Sequence, residues 1–293
     1  MDIQRVGVVG CGLMGSGIAE VAATAGFDVI VTEESPEALE AGKQRLRRSL
    51  DKAVEKTKIT ERERETAWGR LSFSTDLATL AERDLIVEAI VEDFSAKIEL
   101  FARLDEVCAG HTIFTTNTSS LTVTDLAAKT RRPERVLGLH FFNPVPVMKL
   151  VEVVRTIATA DDAFHAVFEF GRRLGKEPIA AKDRSGFVVN LLLVPYMLDA
   201  IRQLERGVAS VEDIDKGMVL GCGHPMGPFT LADFVGIDTL YRISEIMFEE
   251  YREERFAPPP LLKRIVALGR FGRKSGKGFY DWGGAKPVPL SIA

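Results

Sequence analysis

The chain has 293 residues, 46% of them hydrophobic, and a formal net charge of −4, which provides apolar material for a sizeable core and length for two domains. That charge leaves no excess of Lys and Arg to neutralise a phosphate backbone, which argues against a general nucleic-acid binder. Cys11, Cys108 and Cys222 form no C-x-x-C pair; they suggest neither a disulfide framework nor a zinc site and fit a reducing compartment.

The opening M-D-I-Q-R-V-G-V-V-G passes into a β-branched run at residues 5 to 9, with no basic or apolar leader, so a cytoplasmic protein is expected. After Gly10 the pattern turns helical and stops at Gly26, and a second strand, D-V-I-V-T, follows at 28 to 32. The charged residues 36 to 65 predict one or two solvated helices. Further strands are expected at 84 to 90, 112 to 117, 135 to 142 and 151 to 156, with helical stretches between them. The alternation predicts an α/β fold: a doubly wound, mostly parallel Rossmann-type sheet over residues 1–185. The remainder, 186–293, reads as an all-helical C-terminal domain, with Ser185-Gly186 as the hinge.

The stretch 187 to 205 is apolar nearly all round, which suggests burial between helices or in a subunit interface, and Pro195 predicts a kink. S-V-E-D from Ser210 is a capping-box start, and P-P-P at 258 to 260 is a break before the last helix. No apolar run is long enough to span a bilayer.

Gly10, Gly12 and Gly15 form G-x-G-x-x-G between a predicted strand and helix. In that setting the first Gly allows the tight turn, the second lets backbone approach a pyrophosphate, and the third permits close helix–strand packing. The pyrophosphate sits on the helix N-terminus, where N–H groups and the dipole favour an anion. Glu33, at the end of the second strand with Glu34 beside it, is placed to bind the ribose 2′-hydroxyl and to repel a 2′-phosphate, which favours NAD over NADP. Near the C-terminus, F-G-R-K-S-G-K-G-F-Y is not a phosphate loop. The span from Gly272 to Gly276 is one residue short, and Gly follows Lys277.

Of the four histidines, His140 ends a β-run, where open α/β sheets bind ligands. A lone histidine in an apolar segment is more often a core residue, but Glu152 lies on the next β-type run, beyond the turn N-P-V-P. A carboxylate on one imidazole nitrogen fixes the tautomer and strengthens the other as a general base. The turn N-T-S-S, 117 to 120, offers hydroxyls at the same edge; its simpler reading is a helix N-cap at Ser120 or Thr122. Asn190, an amide in the apolar stretch, is either a structural bond or a substrate contact.

G-C-G-L-M-G-S-G-I-A, V-E-A-I-V-E, T-N-T-S-S-L, H-F-F-N-P-V-P-V-M-K-L-V-E-V-V, G-F-V-V-N, H-P-M-G-P-F-T-L-A-D-F-V-G-I-D and G-R-K-S-G-K-G-F-Y occur in this order from residue 5 to about 280. On these motifs the chain resembles the short-chain L-3-hydroxyacyl-CoA dehydrogenases, and among them the bacterial 3-hydroxybutyryl-CoA dehydrogenases. The resemblance implies that His140 takes the proton from the substrate 3-hydroxyl while hydride passes from C3 to the nicotinamide of NAD, that Glu152 orients His140, and that Ser119 and Asn190 hydrogen-bond the substrate oxygen. It assigns Gly10, Gly12, Leu13, Met14, Gly15, Glu33, Glu92, Lys97, Ser119, Asn143 and Lys274 to the cofactor. Ser49 and Lys56, two helical turns apart, are assigned to the CoA moiety, although a solvated helix with i,i+4 pairs such as Arg47–Asp51 accounts equally for most charges there. Glu33 departs from the family, which commonly has Asp at this place. An acyl-CoA substrate, no metal, no nucleic acid or membrane partner, and a homodimer through the C-terminal domain are expected. The alternatives are a dehydrogenase of carrier-protein thioesters and a non-catalytic dinucleotide-binding protein like the related lens crystallins; retention of His140, Glu152, Ser119 and Asn190 together argues against the second.

Overall fold

A computed structural model describes residues 2–291. The chain separates into two compact units, one ending at Arg184 and one beginning at Ser185. The first unit runs β1 (Arg5–Val9), α1 (Leu13–Thr24), β2 (Asp28–Thr32), α2 (Pro36–Glu55), α3 (Glu61–Trp68), β3 (Leu71–Ser74), β4 (Leu85–Glu88), α4 (Phe94–Val107), β5 (Ile113–Thr116), α5 (Val123–Ala127), β6 (Val136–Phe141), β7 (Leu150–Arg155), α6 (Asp161–Arg173) and β8 (Glu177–Lys182). These eight strands form one sheet in the order β3-β2-β1-β4-β5-β6-β7-β8. Only β6 and β7 pair antiparallel; every other neighbouring pair is parallel.

The central strands are buried almost throughout, as parallel strands covered by helices must be: Val6, Val8, Val29 and Val31 of β1 and β2 meet Ile18, Ala19 and Ala22 of α1 in one core. On the far side of the sheet order, Val151 and Val153 pack with Val167 and Phe170 of α6 in the same cluster. The strand order reverses between β1 and β4, which makes the carboxyl edge there a crevice suited to a ligand.

Two strands of this sheet lie outside the sequence expectations, as does a short strand pair in the second unit, which is expected from the sequence to be all-helical. L-S-F-S of β3 and E-P-I-A-A-K of β8 hold no β-branched run beyond a single Ile. Both are sheet edges, where the ladder offered by the neighbouring strand outweighs weak propensity, and an edge also tolerates Pro178.

The second unit contains α7 (Val189–Glu205), α8 (Val211–Cys222), α9 (Pro228–Val235), α10 (Ile237–Tyr251) and α11 (Pro260–Ala267). Besides these helices it has a short antiparallel pair, β9 (Tyr280–Asp281) with β10 (Val288–Pro289). Helix α7 continues through Pro195 and buries Val194, Met197, Leu198 and Ile201 among Phe229, Leu240 and Phe279, while Leu192 is 70% exposed. Ser210 caps α8 by accepting from the Asp213 N–H, but the Asp213 carboxylate bonds the Ser210 hydroxyl rather than its backbone, so the expected capping box is half formed. No helix among the described residues is long and apolar enough to cross a membrane.

Candidate active site

Parallel pairing puts the carboxyl ends of β1, β2, β4, β5 and β6 on one edge of the sheet. The loop leaving β1 is shaped by contact. Gly10 has φ +94°, and a Cβ there would press the Ala89 carbonyl at 2.6 Å; a Cβ at Gly15 would overlap the Gly10 carbonyl oxygen itself. Only glycine lets α1 sit so low over the turn. Cys11 in this loop is held through both backbone groups: its N–H donates to Glu33 Oε2 at 2.6 Å, and its carbonyl accepts from Arg45 Nη1 at 2.8 Å. The other oxygen of Glu33 accepts from the Glu34 N–H at 3.0 Å. Burial first, and Glu33 second, push the Cys11 thiol up to about 11, so it is no nucleophile at neutral pH.

These residues fit a dinucleotide. Gly12 is the N-cap of α1, no side chain caps that terminus, and a Cβ at Gly12 would meet nothing within 4 Å. The exposed start of α1, at Gly12 and Leu13, therefore borders open space at the positive end of the helix dipole.

A buried polar chain runs beneath the neighbouring strand ends. Glu88, the fully buried last residue of β4, accepts from the Ile90 N–H at 2.7 Å, from the Thr116 hydroxyl at 2.6 Å and from Lys97 Nζ at 2.5 Å. Lys97 also pairs with Glu92 at 3.3 Å. Glu92 accepts in turn from the Thr118 hydroxyl and from the Ser119 N–H at 3.1 Å. One buried ammonium between two carboxylates is tolerable because the remaining oxygens find donors. Lys97, assigned by resemblance to the cofactor, is thus only 1% exposed and ties Glu88 to Glu92.

His140 and Glu152 lie directly opposite each other in the β6–β7 ladder, so their side chains share a face. His140 Nδ1 is 2.6 Å from Glu152 Oε2, and both residues are buried. A carboxylate at Nδ1 holds the hydrogen there and makes Nε2 the basic nitrogen. The ring also lies against Phe142, with centroids 4.6 Å apart. Asn117, at the end of β5, accepts from the Phe141 N–H at 2.9 Å and donates its own N–H to the Glu88 carbonyl, tying three strand ends together.

The turn at 117 to 120 is not a side-chain cap. Thr122 occupies the N-cap position of α5 without a side-chain bond, and Asp183 instead accepts from the Val123 and Thr124 N–H groups at 2.9 and 2.6 Å. Of the residues expected at the CoA moiety, Ser49 is half-buried on α2, near Glu20 of α1, and Lys56 is the exposed C-cap of α2. Arg47 pairs with Asp51 at 3.8 Å and with Glu65 of α3 at 3.0 Å, so part of that basic helix is a bridge to its neighbour. Asn143 is exposed on the turn after β6. The second unit carries Asn190, half-buried in the first turn of α7, and Lys274, whose Nζ pairs with Asp238 at 2.7 Å.

Sequence reasoning missed Glu88, Asn117 and Asp183. Glu88 had a visible signal, a carboxylate ending a short apolar strand, which requires partners. Asp183 had none, because the helix it caps begins 60 residues away in sequence.

The chain matches two family models in succession: the 3-hydroxyacyl-CoA dehydrogenase NAD binding domain over residues 5–184 and the 3-hydroxyacyl-CoA dehydrogenase C-terminal domain over residues 186–282. It is 54% identical to a 3-hydroxybutyryl-CoA dehydrogenase of Mycobacterium tuberculosis, with 96% of this chain and 99% of that protein covered. It is 47% identical to the mitochondrial hydroxyacyl-coenzyme A dehydrogenase of Sus scrofa, over 96% of this chain and 91% of that protein. Among solved structures, that of (S)-3-hydroxybutyryl-CoA dehydrogenase PaaH1 from Ralstonia eutropha is similar with a TM-score of 0.93 at 40% identity, covering 97% of this chain and all of that one.

Proposed function

Since the chain belongs to the 3-hydroxyacyl-CoA dehydrogenase family and is an NAD-dependent dehydrogenase, we propose that it interconverts (3S)-3-hydroxybutyryl-CoA and acetoacetyl-CoA. The reading rests above all on the buried His140–Glu152 pair, which lies on the sheet edge that also carries the glycine-rich loop. In the oxidative direction His140 Nε2 takes the proton of the 3-hydroxyl, and in reduction it returns that proton to the oxygen. Glu152 keeps Nδ1 protonated and the ring oriented, and stabilises the imidazolium as it forms. Ser119 and Asn190 hydrogen-bond the reacting oxygen.

When bound, NAD accepts or delivers the hydride of the reaction. Gly10, Gly12, Leu13, Met14 and Gly15 hold its pyrophosphate, and Glu33 its adenosine ribose. Glu92, with Lys97 beneath it, Ser119, Asn143 and Lys274 serve the rest of the cofactor, while Ser49 and Lys56 take the CoA moiety. The short acyl chain follows the names of the similar bacterial enzymes. We assign the protein to the cytoplasm, as a homodimer formed through the second unit, where Leu192 and Leu220 are exposed.

Steady-state kinetics with 3-oxoacyl-CoA esters of increasing chain length, each with NADH and NADPH, test the reading. Highest kcat/KM is expected for acetoacetyl-CoA with NADH, and His140→Ala should lower kcat by roughly two to four powers of ten. Near-normal turnover in that variant would remove His140 from the role of base.

A further inference from the structure

Lys176, between α6 and β8, is 7% exposed, and its Nζ donates to two backbone carbonyls, those of Val145 at 2.5 Å and Met148 at 2.8 Å. Both carbonyls belong to the turn between β6 and β7, which also carries Asn143. A buried ammonium is costly without an opposite charge. Glu20 of α1, itself 5% exposed and pushed up by its burial, is near enough to favour the charged ammonium. Burial pulls the Lys176 ammonium below its ordinary range, and Glu20 offsets part of that effect.

The same turn is also seated from α1. Val145 is 2% exposed although Asn143, Pro144, Pro146 and Val147 around it are exposed, so it is an inward peg. A Cβ at Gly17 would stand 2.9 Å from the Val145 Cβ, which places the peg on α1 one helical turn before Glu20. The apolar contact seats this exposed turn on the helix whose N-terminus follows the glycine-rich loop, and the two Lys176 hydrogen bonds hold the turn's carbonyls from the residue before β8.

We infer that Lys176 is a positioning residue for the cofactor: with Val145 seated on Gly17, it clamps the turn bearing Asn143 to α1, so that the nicotinamide and pyrophosphate contacts keep one spacing. The inference rests on the assignment of Asn143 and the α1 N-terminus to NAD. A single ligand spanning two elements is bound tightly only if their separation is set beforehand, because small displacements at either end are costly.

The test is fluorescence titration of the full-length protein with NADH, alongside steady-state kinetics, for wild type, Lys176→Met and Gly17→Ala. Lys176→Met keeps an apolar stem and removes the donors; Gly17→Ala pushes on the peg from the opposite side and leaves Lys176 intact. Lys176→Met is expected to raise the Kd and KM for NADH about tenfold, the usual scale for a charged hydrogen bond, and Gly17→Ala to raise them several-fold by displacing the peg, with KM for acetoacetyl-CoA changed less than about twofold in each. NADH affinity within about twofold of wild type in both variants overturns the inference. So does a parallel loss of affinity for NADH and acyl-CoA, which marks a general structural role. If Lys176→Met does not fold, Gly17→Ala alone decides, since weakened NADH binding supports the clamp and wild-type binding refutes it. Wild-type protein that binds NADH but does not reduce acetoacetyl-CoA would refute the proposed substrate, and the titrations would still judge the clamp.

Discussion

Replacing Glu152 by Gln isolates the role of one charge. The substitution keeps volume, leaves an oxygen that can accept from His140 Nδ1, and preserves the β6–β7 ladder in which the two residues are paired. What it removes is the negative charge 2.6 Å from the imidazole, at a position that is 0% exposed and so poorly screened by water. A hydrogen bond to a charged group contributes about 1.5–3 kcal/mol, and imidazolium formation during proton transfer calls on most of that contribution. At 1.36 kcal/mol per factor of ten, kcat should fall roughly 10- to 150-fold. The assay is gain of NADH absorbance during (3S)-3-hydroxybutyryl-CoA oxidation at saturating substrate. The Kd for NADH should stay at the wild-type value, because the charge removed faces His140. A kcat within about twofold of wild type, in protein that melts like wild type, would refute the idea that Glu152 acts through its charge.

Two further substitutions probe the framework. Gly15→Ala places a Cβ onto the Gly10 carbonyl oxygen, so α1 must lift from the loop, and NADH affinity should fall more than about tenfold with the far-ultraviolet circular dichroism unchanged. Asp105 on α4 tests the electrostatics: burial pushes its carboxyl up, but hydrogen bonds from Arg131 and Arg132 outweigh this and hold it below the ordinary carboxylate range. A carboxyl depressed in the folded state adds stability above its unfolded pKa of about 4 and loses that contribution as pH falls further. In urea unfolding, Asp105→Asn should therefore be less stable than wild type by about 1–3 kcal/mol at neutral pH, with the difference shrinking as the medium is acidified below about pH 4. A pH-independent difference would contradict the ion-pair account.

Much of the sheet was legible in the chain because its central strands are buried on both faces. R-V-G-V-V, D-V-I-V-T and V-L-G-L-H-F announce themselves as apolar runs, and the order of strand, glycine turn and helix around Gly10–Gly15 specifies a dinucleotide loop from local chemistry alone. Edge strands escaped for the converse reason. L-S-F-S and E-P-I-A-A-K take strand geometry from the partner beside them, information that a local window does not contain. His140 and Glu152 were legible as a pair because a single short turn separates their strands, and antiparallel return makes a meeting across it the natural outcome.

The candidate site was legible in its residue types and less so in its connections. Backbone periodicity and side-chain chemistry are properties of short segments, so the sequence by itself determined the α/β class, the glycine-rich loop and the presence of a histidine with an acidic neighbour. Contacts between segments far apart along the chain depend on register and helix docking, which no segment encodes alone. Only the tertiary structure could therefore decide that Lys97 spans Glu88 and Glu92, that Asp183 caps α5 from the far end of the unit, and that Lys176 and Gly17 grip the turn carrying Asn143.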